Sequence, residues 1–254
     1  MFRSSFSNSF VNPFPSESVV SPVFAPTDIS TLRIWIDKSD ISTLFKDASR
    51  TVPVATDGDA ILGYADKSGY SNHATATSGA LYKTNIQNGL SAALFNGTSN
   101  FYSLPNLSAL TAAEIFIVLK IANDPPATDP KTGLWHMGTS SDATHFPYTD
   151  GTIYDSFGTT VRKTTVNPSG SLASWHCYNV ISASGEWTSR RNATQLYTTA
   201  SNTVGLPTAP RIGAFSTAYF MDGHIGEMFL FNAKLSTGDR SSMDEFVRAK
   251  WSLY

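Results

Sequence analysis

The stretch from Tyr219 to Tyr254, YFMDGHIGEMFLFNAKLSTGDRSSMDEFVRAKWSLY, limits what this chain can fold into more than any other. Asp222-Gly223 stands between apolar runs and predicts a two-residue hairpin turn, because both residue types tolerate the φ > 0 that such a turn requires. A strand is expected next. From Ile225 to Phe231 apolar residues fall on both parities, with Ile225, Phe229 and Phe231 on one face and Met228 and Leu230 on the other. That is the pattern of a strand covered on both sides. Ser236, with Asp239 three residues on, is a variant of the capping box. Met243, Phe246, Val247 and Trp251 then keep helical spacing, and Arg248 and Lys250 fall in the last turn. A buried strand therefore leads into one amphipathic helix.

The preceding residues read as many short strands. Leu32, Ile34 and Ile36 alternate with Arg33, Trp35 and Asp37, which predicts a first strand. Lys38 to Gly89 is rich in turn residues, notably Asp57-Gly58-Asp59 and the segment Asp66 to Ala74. Ala92 to Phe95 and Phe101 to Leu104 predict two strands around Asn96-Gly97, and Glu114 to Ile121 predicts a buried strand followed by an exposed proline-rich loop over 124–130. Further strands are expected near 133–137, 152–166, 175–182, 186–191, 194–199 and 210–215. This spacing predicts an all-β fold, an antiparallel two-sheet jelly-roll sandwich over residues 30–254, without internal repeat or linker.

Composition narrows the function classes. Of 254 residues, 41% are apolar and only 15% charged, which suits a β-rich globular domain. Eighteen basic and twenty acidic side chains leave a formal charge of -2. Arg190-Arg191 is the densest basic cluster, so no nucleic-acid partner is expected. Cys177 is the single cysteine, which excludes an internal disulfide. The sequence has neither a bilayer-length apolar run nor a continuous apolar stretch after Arg3, so neither membrane insertion nor a signal peptide is expected, and synthesis in a cytoplasm follows.

Residues 1–29 differ from the rest, with Pro13, Pro15, Pro22 and Pro26 breaking any long helix. Phe2, Phe6, Phe10 and Phe14 recur every four residues. Leaving them in water forgoes roughly 1.5–3 kcal/mol each relative to burial. The expectation is an arm that docks on a partner subunit; a tail folded back on its own domain or left loose is the alternative.

The order LRIWIDKSD, ADKSGYSNHAT, NGLSAALFNGTSNFY, RIGAF and FMDGHIGEMFLFNAKLS, with a final helix ending AKW, resembles the laminin-G-like branch of the concanavalin A-like lectin/glucanase superfamily, over about residues 30–254. The resemblance implies a two-sheet jelly roll of a kind found in extracellular bacterial proteins and phage structural proteins, where binding or assembly is commoner than chemistry. It also points to loop calcium sites, for which Asp37, Asp40, Asp57, Asp59 and Asp66 are weighed. Asn96 and Asn100 stand where relatives often carry aspartate, so solvated turn carboxylates are the expected reading.

Glycoside hydrolysis needs two carboxylates about 5–10 Å apart. The five glutamates, Glu17, Glu114, Glu186, Glu227 and Glu245, each stand alone on their segment. Glu227 is expected to be partly buried and satisfied by backbone or a basic partner. His73, His136, His145, His176 and His224 lack zinc spacing. Neither a catalytic site, a cofactor nor a metal is therefore expected. For glycans, Asn72, His73, Trp135, His136 and Trp175 supply the aromatic and amide groups that contact sugars. The expected function is a virion structural protein without enzymatic activity, a phage capsid decoration protein that homo-oligomerises and binds other virion proteins through its arm. The alternative is a carbohydrate-binding module of a phage tail or bacterial surface protein.

Overall fold

A computed structural model describes residues 24–254. The expected arm contacts of Phe2, Phe6, Phe10 and Phe14 lie outside the described residues. In chain order the strands are β1 (Leu32–Asp37), β2 (Leu44–Phe45), β3 (Gly63–Tyr64), β4 (Ala74–Thr75), β5 (Leu81–Gln87), β6 (Leu90–Asn96), β7 (Tyr102–Ser103) and β8 (Ala113–Ile121). They continue as β9 (Trp135–His136), β10 (Tyr154–Asp155), β11 (Lys163–Thr164), β12 (His176–Ala183), β13 (Glu186–Arg191), β14 (Thr194–Thr199), β15 (Arg211–Ile212) and β16 (Asp222–Phe231). One helix, α1 (Thr237–Trp251), follows. The larger sheet runs β14-β13-β12-β8-β16-β6-β5 with β1 also paired to β16, the smaller runs β2-β3-β4-β7-β15-β9, and β10 pairs with β11 alone. The ladders are antiparallel, as expected for an all-β sandwich with a C-terminal helix.

β16 is the axis of the larger sheet. β8 lies along one edge of it, while β6 and β1 share the other, β6 against residues 222–225 and β1 against residues 227–231. The strand is buried on both faces, but its parity is not the one the alternation predicts. A bulge between Ile225 and Glu227 places Gly226 out of register, and an extra residue of this kind shifts every later side chain to the opposite face. Ile225 thus joins Met228 and Leu230 in the core between the sheets, while Phe229 and Phe231 pack under α1 with Phe116, Val118, Met243 and Val247.

Three other sequence expectations are corrected. Asp222-Gly223 is not a hairpin turn: Asp222 faces Asn96 and Gly223 faces Phe95 within the ladder, and the chain reverses earlier, where Phe215 N–H donates to the Tyr219 carbonyl at 3.0 Å. The loop-rich region contains β5, paired with β6 across Asn88-Gly89, both at positive φ (51° and 74°). β6 and β7, expected to flank a common turn, belong to different sheets. The helix start is as the sequence has it, since Ser236 Oγ accepts from Asp239 N–H at 3.1 Å.

Glu227 explains the tight join of β1, β16 and α1. Its carboxylate is fully buried and accepts from Trp35 Nε1 at 2.7 Å, Trp251 Nε1 at 2.8 Å and Lys250 Nζ at 2.8 Å. Lys250 also reaches Asp37, which in turn bonds Lys67, both at 2.9 Å. Burial raises the Asp37 pKa, but the Lys250 charge and the bonds from Ser39 and Lys67 outweigh it and hold the group at about 2. Burial, with the charge of Asp37, pushes Glu227 the other way.

Lys38 faces the core between the sheets, 1% exposed, with its ammonium 4.8 Å from the centre of the Tyr64 ring. Burial lowers its pKa from 10.5 to about 7, against the pull of Asp37 and Glu227. Between those values the unfolded chain holds a proton that the folded one does not, so stability must fall as pH drops from about 10.5 to about 7, at up to about 1.4 kcal/mol per unit. Urea midpoints measured from pH 7.5 to 9.5 are expected to rise with pH, and Lys38→Met to flatten the rise and stabilise the protein at pH 7.5. At the bulge, a Cβ on Gly226 would collide with the Trp251 ring. Gly226→Ala is expected to cost about 1–3 kcal/mol in the same unfolding measurement, as overpacking does.

Candidate functional site

The residues that converge on a cavity come from the loops around the smaller sheet. Asp150-Gly151 sits at the tip of a hairpin in which Gly151 has φ of 84° and Tyr148 N–H donates to the Thr152 carbonyl at 2.9 Å. His145 and Tyr154 face each other below it, exchanging backbone hydrogen bonds of 2.8 and 3.0 Å. Alternation then sends Tyr154 outward and Asp155 inward. Asp155 anchors the hairpin to the core, accepting from Trp135 Nε1 at 2.9 Å, Tyr178 Oη at 2.9 Å and Phe157 N–H at 2.8 Å.

Above that anchor, Asp129, His145, Tyr148, Tyr154, Arg162 and Tyr219 line a cavity of about 270 Å³. The rings of Tyr148, Tyr154 and Tyr219 stand 4.8, 6.0 and 5.1 Å from that of His145, each at a steep angle to it. The Arg162 guanidinium lies 4.9 Å from the centre of the Tyr154 ring and donates to the Ala143 carbonyl at 2.8 Å. Tyr148 Oη donates to Asp129 Oδ2 at 3.1 Å, which raises the phenol pKa and keeps Tyr148 protonated. His145 Nδ1 is 2.7 Å from Thr132 Oγ1. Its pKa is lowered by burial first and by Arg162 second, against Asp129 and Asp150, so the ring is neutral at pH 7. The cavity therefore offers aromatic faces, a carboxylate acceptor and a guanidinium donor. Asp129 and Arg162 are not among the ion pairs formed by the described residues.

The residues expected from sequence fall elsewhere, in separate places. Trp135 is 1% exposed and stacks on Tyr178 in the core, so it has no face to offer a glycan. His136 packs edge-on against Phe215. Trp175 lies under the helix, stacked on Trp251 at 5.4 Å. Asn72 and His73 hold a loop together: Asn72 Nδ2 donates to the Arg33 carbonyl and His73 Nδ1 accepts from Asp66 N–H. The weighed aspartates are similarly engaged. Asp66 accepts from Trp35, Ser68 and Asn72 N–H groups, Asp59 from Ala55 and Thr56, and Asp57 from Thr84 and Lys83. Among the described residues no group of three His, Cys, Asp or Glu side chains is arranged to hold a metal ion. The tyrosine cavity adjoins the Trp135-His136 segment, since Thr144 Oγ1 donates to the Trp135 carbonyl at 2.7 Å. The signal that marks it is Tyr148-x-Asp150-Gly151-x-x-Tyr154, a turn dipeptide with aromatics on both arms.

Comparison with known proteins gives the fold and no family. No family model matches the chain, and no curated protein matches it in sequence. Among solved structures it is similar to a Trypanosoma rangeli sialidase in complex with sialic acid, with a TM-score of 0.57, 11% identity, and coverage of 85% of this chain but 33% of that one. It is similar to domain 4 of a GH43 extracellular arabinanase from Geobacillus stearothermophilus in complex with arabinotriose, with a TM-score of 0.53, 11% identity, and coverage of 84% and 97%. The receptor-binding domain of botulinum neurotoxin mosaic serotype C/D gives 0.59 at 13% identity, covering 87% of this chain and 52% of that one. The chain thus spans a third of the sialidase and about half of the neurotoxin domain. These likenesses establish a β-sandwich of the expected jelly-roll kind. They also overturn the expectation that the chain is not an enzyme: the fold recurs in chains of a sialidase and an arabinanase as well as in binding domains, so it does not place the protein outside the enzymes. The likenesses give no support to a virion location or a capsid-decoration role.

The His145 imidazole is expected to titrate by NMR with a midpoint below the ordinary 6.5. Arg162→Gln should raise that midpoint by removing a repelling charge, yet leave it below 6.5 because burial persists.

Proposed function

We propose that this domain is a carbohydrate-binding β-sandwich module and that the tyrosine-lined cavity is its sugar site. The observation that carries the reading is the pairing of ring walls with an acceptor and a donor that do not neutralise each other: Asp129 and Arg162 line one cavity with Tyr148, Tyr154 and Tyr219. A sugar hydroxyl donates and accepts at once, so it can bridge a carboxylate and a guanidinium, while the C–H face of the ring packs on aromatic edges. At about 270 Å³ the cavity is smaller than the roughly 300–1,000 Å³ typical of drug-sized ligands, a size suited to the terminal unit of a glycan. The likeness in fold to an arabinanase domain solved with arabinotriose and to neurotoxin receptor-binding domains supports the same reading.

A glycan array carrying neutral and acidic oligosaccharides tests it. Binding to at least one class is expected, falling ten-fold or more in Tyr154→Ala and in Arg162→Ala and unchanged in Trp175→Ala. An array without signal above background, or signals untouched by the first two substitutions, would refute the site.

A further inference from the structure

The outer face of α1 carries a second concave surface, unrelated to the sugar cavity and independent of its proposed role. Met243, Val247 and Trp251 point from the helix onto the larger sheet, where they pack with Phe116, Phe229 and Phe231. Phe246 and Ala249 do not; with Ser242 and the Phe24 ring they line a groove of about 790 Å³, against about 270 Å³ for the sugar cavity. Phe246 is fixed from below by Trp35 and Phe229 at 6.4 and 5.9 Å, and from one end by Phe24 at 6.2 Å in an edge-on contact. The charges at the rim are already engaged. Glu245 pairs with Arg248 at 2.7 Å, and Lys250 turns inward to Asp37 and Glu227. The groove is therefore apolar without a free ion to recruit a charged partner.

We propose that the groove is the seat of this chain's own residues 1–23, in the same copy. Phe24 forms one wall, so the segment that precedes it is attached at that end of the groove. The segment matches the surface chemically: Phe10, Val11, Phe14, Val19, Val20 and Val23 are apolar, and its only charged side chains are Arg3 and Glu17. Its length suffices. At about 3.3 Å per extended residue it reaches on the order of 75 Å, against about 22 Å for the helix it covers. Attachment beside the groove also supplies a high effective concentration that a free partner lacks. The phenylalanines that suggested a partner-binding arm thus find a partner surface within their own domain.

Thiol labelling in the full chain tests this, because the single native cysteine, Cys177, is buried and silent. Ala249→Cys places a thiol in the groove, and Lys234→Cys provides one on a side chain 44% exposed and remote from it. The groove thiol is expected to react with a maleimide at least ten-fold more slowly than the control. Substituting Phe2, Phe6, Phe10 and Phe14 by Ser in the same chain should bring it to the control rate. Equal rates for the two thiols in the chain with its phenylalanines intact would overturn the proposal. Protection that disappears on dilution, with a dimer seen by light scattering, would overturn it in favour of a second copy.

Discussion

A carboxylate with no access to water holds this protein together. Glu227 stands at the middle of the central strand, and a buried charge persists only if its lone pairs are met and its charge offset. Its partners come from two distant parts of the chain: Trp35 from the first strand, Trp251 and Lys250 from the last helical turn. The requirement fixes the height and rotation of α1 over the sheet. It lays the Trp251 ring across Gly226, which demands a residue without a side chain there, and that residue is the bulge that sets which faces the rest of the strand presents. One buried carboxyl group thereby specifies helix placement, strand register and core composition together. An apolar residue in its place would lose that specification even where it kept the stability.

The tyrosine cavity depends on a second buried carboxylate in the same manner. Asp155 is 2% exposed and takes three hydrogen bonds from the core, so the hairpin above it, which carries His145 and two of the tyrosines, is held as firmly as a strand. Irregular loops thus acquire the rigidity that a binding constellation requires. The two networks differ in their surroundings. The Glu227 cluster is enclosed by indoles and lysines and turned away from solvent, whereas Asp155 faces inward so that Tyr154 can face out.

The elements whose character depends on local pattern were legible in the sequence. The Ser236 cap, the helix it starts, the apolar run that became β8 and the short strands spaced by turn residues all follow from period and punctuation. What depends on partners distant in sequence was not. The bulge at Gly226 reverses the parity of β16, and nothing local distinguishes a glycine that bulges from one that packs flat. Asp222-Gly223 has the composition of a turn, but its neighbours Asn96 and Phe95 lie over a hundred residues away in sequence and hold it in a ladder. For the site, tryptophans drew the eye because sugars stack on indoles, yet large rings between two sheets are the ones the core consumes first. The tyrosines, with a hydroxyl that prefers water, were left for the surface, and only the Asp150-Gly151 turn between them hinted that they would meet.

The position of β16 between β8, β6 and β1 carries a consequence for how the chain is made. Synthesis delivers β1, β6 and β8 long before the strand that pairs with all of them. While the ribosome completes the intervening residues, the apolar edge of β8 has no neighbour on that side, and β1 has no ladder partner among the described strands. Pairings of such long sequence separation are slow to close and leave strand edges available to other chains in the interval. The sandwich therefore cannot close until β16 has been made. Strand β16 and helix α1 act as the closing wedge, and until they emerge the strands already made lack their shared neighbour.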